Sequence, residues 1–572
     1  MINPIGTNAR LQPFGTPEGA RADIEELRSN QFINFDGNIA RYGALAISPE
    51  DMTGRVFVGR KGAGKTVYLR RAQVYARNQP EIFADDIQQE LPSTTQVFDV
   101  NRRFAPAVLT QVWMWMWRVA VLRSLFSYLS YEERLRIPAT AAFRERMKRD
   151  YGKWLPEQPD PMPVYSQVKA IIREHRNASG RTLHEYLAHE DWEAIEKRLA
   201  QHLVDCPPVC FYLDAVDEEF RHAPMHWLMC QKGLFYQVMR FLRGQLGGRL
   251  HIVISIRDLV YSSVMQTEHM TRYIEEQHIR ILEWNLESIS YLLQAKVSQL
   301  DSSYYLGGEN ARTPLGMWLG MDEIKNARGR GVREGIEAYL LRHTRLIPRD
   351  IVILLNSLHL EASAAKQEER QLEDEKVRKV VSDSARLFGI EQVAIAGNQL
   401  AISELPVEAV EQDFTEIYTG EHPDGIEEEI SSGIEFIEEE RRYEYRGLDV
   451  YEGDNIVLKA SAAYQRGIVD RLTQLIRDMK VDRFSGREFN QVIELAERYF
   501  PEARALSVLW QNGLLGYTDG AVEDGHPIFY SATHADPLDI PTGKPGYLLH
   551  PCLIDALGIQ SWGAPVYPFG TR

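Results

Sequence analysis

Apolar residues in the first half of the chain occur in two alternating patterns. Apolar runs lie at Val56-Phe57-Val58, at Val209-Cys210-Phe211-Tyr212-Leu213 and, interrupted by His251 and Ser255, from Leu250 to Ile256. Such runs, without polar alternation, are expected of strands buried on both faces. Gln96-Val97-Phe98-Asp99-Val100 reads as a further short strand. Helical periodicity covers about residues 105–200, 224–245, 286–387 and 459–480. Strands that alternate with helices predict an α/β fold, a parallel sheet flanked by helices.

The last 90 or so residues carry a different pattern. Ser485 is placed as the N-cap of a helix through Tyr499, and a second helix runs from Ala503 to Asn512 and stops at Gly513. Short strands follow at Leu514–Tyr517, Ile528–Tyr530 and Tyr547–His550. Two helices and short strands joined by Gly- and Asp-rich turns predict a winged helix, with a small α+β cap of another type as the alternative. The expected organisation is a leader at 1–50, with some helix from Gly19 to Arg28, then a core at 51–285 with a helical insertion at about 105–200. A helical lid at 286–387, an acidic connecting segment at 388–458 and the C-terminal module at 459–572 complete it.

Charge sharpens this picture at one place. The formal net charge is −16, yet residues 401–440 hold 14 Asp or Glu and no Lys or Arg, so the rest of the chain is nearly balanced. The block is either a solvated surface segment or a strip that docks on a basic surface. No signal-peptide pattern opens the chain, and the most apolar stretch, Ala107 to Leu129, is interrupted by Arg118 and Arg123. A buried helix is expected there, not a membrane span. Cys206, Cys210, Cys230 and Cys552 lack metal-ligand spacing and are expected as core thiols of a cytoplasmic protein.

The candidate chemistry begins where the first apolar run ends. Gly59-Arg60-Lys61-Gly62-Ala63-Gly64-Lys65-Thr66 matches G-x-x-x-x-G-K-T, and Val67 continues into the following helix. Its glycines let backbone N–H groups converge on an anion, and the helix start adds a positive dipole end. Lys65 is expected to reach β- and γ-phosphates and Thr66 to hold Mg²⁺. Leu213-Asp214-Ala215-Val216-Asp217-Glu218 ends a strand in acids. Asp214 would face the metal, and Asp217 or Glu218 would polarise the attacking water. Alternatively, these acids cap a strand-to-helix turn. Arg257 ends the Leu250 strand and either stabilises the transferring phosphoryl group or pairs with Asp258. Arg349, in Arg345-Leu346-Ile347-Pro348-Arg349-Asp350-Ile351, reaches nucleotide from a helical lid or forms a helix-start ion pair.

The phosphate loop, L-D-x-x-D-E, the strand ending Ser255-Ile256-Arg257 and the Pro348-Arg349-Asp350-Ile351 helix together resemble the STAND branch of AAA+-related ATPases, close to the KAP and origin-recognition-like bacterial ATPases. The resemblance covers about residues 50–360 plus the C-terminal module. It implies ATP and Mg²⁺ as ligands and ATP hydrolysis as the activity. Lys65, Thr66 and Asp214 match the phosphate and metal residues, Glu218 or Asp217 the catalytic acid, Arg257 sensor 1 and Arg349 sensor 2. Ala215 stands where ordinary AAA+ enzymes carry Glu, which favours the STAND-like arrangement over a remodelling motor. No finger arginine is assigned; Arg240 and Arg243 are candidates.

The resemblance further implies an ATP-driven switch of bacterial signalling or anti-phage defence, acting as a homo-oligomer on a separate protein effector without membrane contact. The alternative is a DNA-binding ATPase of the origin-recognition or repair-loader kind. Residues 484–550 hold nine acidic and four basic residues, which repels nucleic acid and favours a protein-docking module. Arg144, Arg146, Lys148 and Arg149 form the other basic cluster, read as helix solvation or as a face for DNA.

Overall fold

β-Branched and aromatic residues at Val56-Phe57-Val58 leave no polar edge, so this segment is stable only between neighbouring strands. In the computed structural model it forms β1 (Val56–Gly59), followed by α1 (Lys65–Arg77) and β2 (Phe83–Gln88). The helices α2 (Thr94–Asn101), α3 (Leu109–Tyr131), α4 (Thr140–Tyr151), α5 (Val164–Glu174), α6 (Gly180–Leu187) and α7 (Asp191–Leu203) form an insertion before β3 (Val209–Asp214). Then come α8 (Pro224–Arg243), β4 (Leu250–Arg257), α9 (Asp258–Met265) and β5 (Ile279–Ile281). The strands lie in the order β2-β3-β4-β1-β5, and every pairing is parallel. The carboxyl ends of β1, β3 and β4 therefore open on one edge.

A second helical unit contains α10 (Leu286–Ser298), α11 (Pro314–Leu319), the hairpin β6 (Glu323–Lys325) and β7 (Arg333–Gly335), α12 (Ile336–Arg342), α13 (Pro348–Gln367) and α14 (Asp374–Ser403). The short pair β8 (Glu444–Tyr445) and β9 (Leu448–Asp449) precedes α15 (Asp454–Asp478). The C-terminal module comprises β10 (Arg483–Ser485), α16 (Gly486–Tyr499), α17 (Arg504–Gln511), β11 (Leu515–Thr518), β12 (Pro527–Phe529), β13 (Gly546–Leu549) and α18 (Pro551–Leu557). Its strands form an antiparallel sheet in the order β10-β13-β11-β12. The structure describes residues 12–21, 55–88, 92–135, 137, 140–157, 160–214, 224–265, 273, 276, 278–307, 311–326, 332–403, 444–449, 454–500, 504–520, 527–530 and 539–561, except 245, 247, 283, 446 and 447.

Two expectations are corrected. Gln96 to Val100 lies in helix α2, not in a strand. Val97 and Val100 are buried about one helical turn apart, and the second strand is β2, whose Asp85 and Asp86 hide it from an apolar search. The segment expected to connect from residue 388 is helical to Ser403, because α14 buries Val393, Ala396 and Leu400. The intensely acidic part, 404–443, lies outside the described residues. So do 22–28 of the expected leader helix. Residues 12–21 pack as a strap: Phe14 is buried edge-on against Trp318, and Arg70 of α1 donates to the Gly19 carbonyl. The N-cap at Ser485 forms as expected, with Glu488 completing a capping box.

Helix α3 occupies the centre of the insertion and is buried on every side from Met116 to Ser130. Arg118 and Arg123 are buried within it, paired with Glu196 at 2.9 Å and Glu174 at 2.7 Å. Among the described residues no helix is long and apolar enough to cross a membrane. The four cysteines are free and buried.

Helix α8 lies against α3 through Gly233, where an added Cβ would come within 2.5 Å of Trp113 Cβ and 2.8 Å of the Met114 nitrogen. Gly233→Ala would gain roughly 1 kcal/mol of helix propensity. Overpacking against rigid backbone costs about 1–3 kcal/mol and wins. Urea unfolding followed by tryptophan fluorescence is expected to show a lower midpoint for Gly233→Ala; an unchanged or higher midpoint would mean that the two helices part without strain.

Candidate functional site

The carboxyl edge of the sheet gathers the chemistry. β1 ends at Gly59, the loop turns through Gly62 (φ 88°) and Gly64 (φ 96°), and α1 begins at Lys65. Both positive φ values need glycine. A Cβ on Gly62 would also lie 2.9 Å from Arg349 Cβ and Ile347 Cδ1, so the lid approaches the loop at a point that only glycine allows. The Ala63 carbonyl accepts from Trp284 Nε1 at 3.0 Å, which pins the loop to the chain leaving β5. Lys65, buried, folds back onto the loop and donates to the carbonyls of Gly59 (2.9 Å) and Arg60 (3.1 Å). Val67 lies half-buried in the first turn of α1, against the strap at Gly19.

Asp214 is the last residue of β3, in register with Ser255 of β4. Its carboxylate accepts the Thr66 hydroxyl at 2.7 Å and the Ser255 hydroxyl on its other oxygen. Two sequence motifs 148 residues apart thus meet in one hydrogen bond. Among the described residues no three His, Cys, Asp or Glu side chains cluster as ligands. The donor set that is present, one hydroxyl and one carboxylate beside a glycine cradle, suits a small hard cation that takes its remaining ligands from water and phosphate oxygens. Asp217 and Glu218 lie outside the described residues.

Arg257 ends β4 opposite Gly59 and is buried. Its neighbour Asp258 faces the loop residue Arg60, with 3.8 Å between carboxylate and Nε. Arg349 begins α13 immediately after Pro348 and donates its backbone N–H to the Gly62 carbonyl at 3.3 Å. Its Nη1 meets Glu391 at 3.4 Å, while its Nε is buried and bonds to no described residue. The structure thus brings Gly59 to Thr66, Asp214, Arg257 and Arg349 together. Arg240 and Arg243 lie in the last turn of α8, and Arg243 pairs there with Glu276.

Several residues of this site were not anticipated. Glu391, on α14, binds Lys61 at 2.9 Å, Arg345 at 3.1 Å and Arg349. Burial opposes its ionisation, but Arg345, Lys61 and Arg349 outweigh that and hold its carboxyl down at about 2. Arg345 is nearly enclosed and also binds Asp350 at 2.6 Å. The C-terminal module closes the far side, where Arg60 donates to the carbonyls of Gln511 (3.4 Å) and Tyr530 (3.3 Å). Gln392 of α14 reaches Asn512, and Gln399 reaches Gln511. A cavity of about 120 Å³ remains between these parts, lined by Arg257, Trp284, Ile347, Gln399, Asn512 and Tyr530 among others. No spacing rule links Glu391 to a loop 330 residues earlier, so only the fold reveals it.

Glu391→Gln removes the anion that Lys61, Arg345 and Arg349 share and is expected to destabilise the closed arrangement by about 1.5–3 kcal/mol at neutral pH. A depressed carboxyl pKa stabilises the fold fully above the unperturbed value of 4.5, and the contribution is lost as pH falls toward about 2. Thermal midpoints of wild type and Glu391→Gln should therefore differ at pH 7 and converge below about pH 4.5. A gap that does not change with pH would assign the loss to packing instead of charge. Neither the protein-family models nor the curated proteins compared with this chain match it.

Proposed function

We propose that the chain is a P-loop ATPase that works as a molecular switch, with Mg²⁺ as its metal. One observation carries the reading: the threonine of a G-x-x-x-x-G-K-T loop donates its hydroxyl, at 2.7 Å, to the carboxylate that ends the strand next but one. Nucleoside triphosphate hydrolysis needs that pairing, because the same two groups must hold the metal beside the phosphates. The orphaned Nε of Arg349 and the glycine cradle beneath it support an anion at the same place.

The residues divide the work as follows. Lys65 exchanges the carbonyls of Gly59 and Arg60 for β- and γ-phosphate oxygens. Loop N–H groups from Gly62 to Thr66 and the start of α1 bind phosphate. Thr66 and Asp214 hold Mg²⁺, which when bound neutralises phosphate charge. Glu218, or Asp217, accepts the proton of the attacking water. Arg257 and Arg349 stabilise charge on the transferring group.

The switch rests on what surrounds the loop. Arg60 holds the C-terminal module, Lys61 holds α14 through Glu391, and Gly62 holds α13 through Arg349. Phosphate arriving at the loop competes with Glu391 for Lys61 and Arg349, so nucleotide state and domain contacts are linked. The paired helices α16 and α17 with their antiparallel sheet support a winged helix, and the excess of acidic over basic residues in its sequence supports protein over DNA as partner. The motif resemblance supports a STAND-type, cytoplasmic, oligomeric switch of bacterial signalling or anti-phage defence with a separate effector.

ATP turnover by the purified chain, with and without double-stranded DNA, tests this reading. Lys65→Ala is expected to weaken nucleotide binding by about 10–100-fold. Glu218→Gln is expected to keep ATP bound and to slow hydrolysis by roughly 10²–10⁴-fold. Normal hydrolysis by Glu218→Gln would remove it as the base. Strong stimulation by DNA would turn the assignment to a DNA-dependent ATPase.

A further inference from the structure

We propose that the helical insertion between β2 and β3 sets the geometry of the metal-holding carboxylate, with Tyr165 of α5 as the positioning residue for Asp214. The inference rests on the nucleotide-site reading above and extends it from the phosphate loop to the insertion.

A circuit of hydrogen bonds, closed by two turns of α1, joins Asp214 to the insertion and to β2. The Tyr165 hydroxyl donates to the Asp214 carbonyl at 3.1 Å. The Tyr165 backbone N–H donates to Gln88 Oε1 at 3.0 Å, and Gln88 Nε2 donates to Asp85 Oδ2 at 2.8 Å. Gln73 of α1 donates to the Asp85 carbonyl at 2.7 Å. Thr66, two turns earlier on α1, donates to the Asp214 carboxylate and closes the ring. Tyr128 of α3 anchors it to the centre of the insertion by donating to Asp85 Oδ1 at 2.7 Å.

Each link has a local cause. The last described residue of β2, Gln88, lies opposite Leu213, and among the described residues none of β2 pairs with Asp214. The Tyr165 hydroxyl meets the Asp214 carbonyl at that point and holds the last residue of β3. The β2–β3 register shifts between Ala84 and Ile87, which takes the Asp85 carbonyl out of the ladder and lets Gln73 use it. Asp85, Gln88, Tyr165 and Asp214 are all buried, and hydrogen bonds there are directional and hard to exchange with water. Movement of α3 or α5 against the sheet therefore reaches the Thr66–Asp214 pair directly, without passing through the lid.

The test uses the full chain, a fluorescent ATP analogue and MgCl₂. Binding is measured in EDTA and then as a function of Mg²⁺, with thermal midpoints alongside. Tyr165→Phe keeps the ring and removes only the hydroxyl. It is expected to bind the analogue in EDTA within about twofold of wild type, and to need about 5–10-fold more Mg²⁺ for half-maximal enhancement of binding. Asp85→Asn, at the opposite side of the ring, is expected to shift the Mg²⁺ midpoint in the same direction by about 2–5-fold. An unshifted Mg²⁺ midpoint in both variants overturns the proposal. So does a loss of binding in EDTA that matches the loss with Mg²⁺, since a merely structural role would weaken both alike. A wild-type chain without Mg²⁺-dependent nucleotide binding overturns the nucleotide reading itself; wild-type Mg²⁺ dependence that the variants retain overturns this inference alone.

Discussion

The hydrogen bond between the Thr66 hydroxyl and the Asp214 carboxylate is the constraint on which the rest of the molecule depends. It exists only if β1, β4 and β3 lie parallel and in register, because Asp214 must finish its strand where α1 begins. Parallel strands require long connections and cover on both faces. The insertion and α8 cover one face, and α1 covers the other. The sheet does not merely carry the site. Its edge is the site, and every helix that buries the sheet also fixes where two polar side chains meet.

Charge does the corresponding work around the loop. Arg345 is nearly enclosed beside Asp350 and Glu391, and neither anion would be stable there without it. Lys61 and Arg349 join the same carboxylate from two other directions. A half-buried carboxylate with three cations around it holds parts together only while all of them stay close. Cations that also face the glycine loop, proposed above to bind phosphate, have a second possible partner. The Glu391 node is therefore strong as a tie and exchangeable as a contact, a combination that suits a device with two states.

How far the sequence could be read follows from the same physics. β1, β3 and β4 are legible because strands buried on both faces are mostly apolar, with their polar residues gathered near the carboxyl ends except for His251. The loop is legible because its glycines have no substitute. β2 was missed because it lies at the sheet edge, where Asp85 and Asp86 sit in a register shift; Tyr128 and Gln88 answer Asp85, and Arg77 answers Asp86. Gln96 to Val100 was misread because an apolar run as short as Val97-Phe98-Asp99-Val100 fits a buried strand as well as a single turn of helix. Glu391, Tyr165 and Ser255 act through partners distant in the chain, and no local pattern announces them.

The insertion raises a final point about buried polarity. Its central helix α3 is apolar enough to suggest a membrane at first sight, but Arg118, Arg123 and Tyr128 each find a protein partner outside the helix. Two of those partners, Glu196 and Glu174, belong to the insertion and fix α3 within it. The third, Asp85, belongs to the sheet. Replacing all three polar groups by apolar ones could preserve the packing, since buried ion pairs add little net stability over well-packed hydrophobic side chains. What would be lost is direction. An apolar contact permits sliding, whereas a tyrosine hydroxyl on a buried carboxylate fixes one register of helix against strand. The placement of Tyr128 on Asp85, one step from the ring that ends at Asp214, makes the insertion a part of the site instead of an appendage to it.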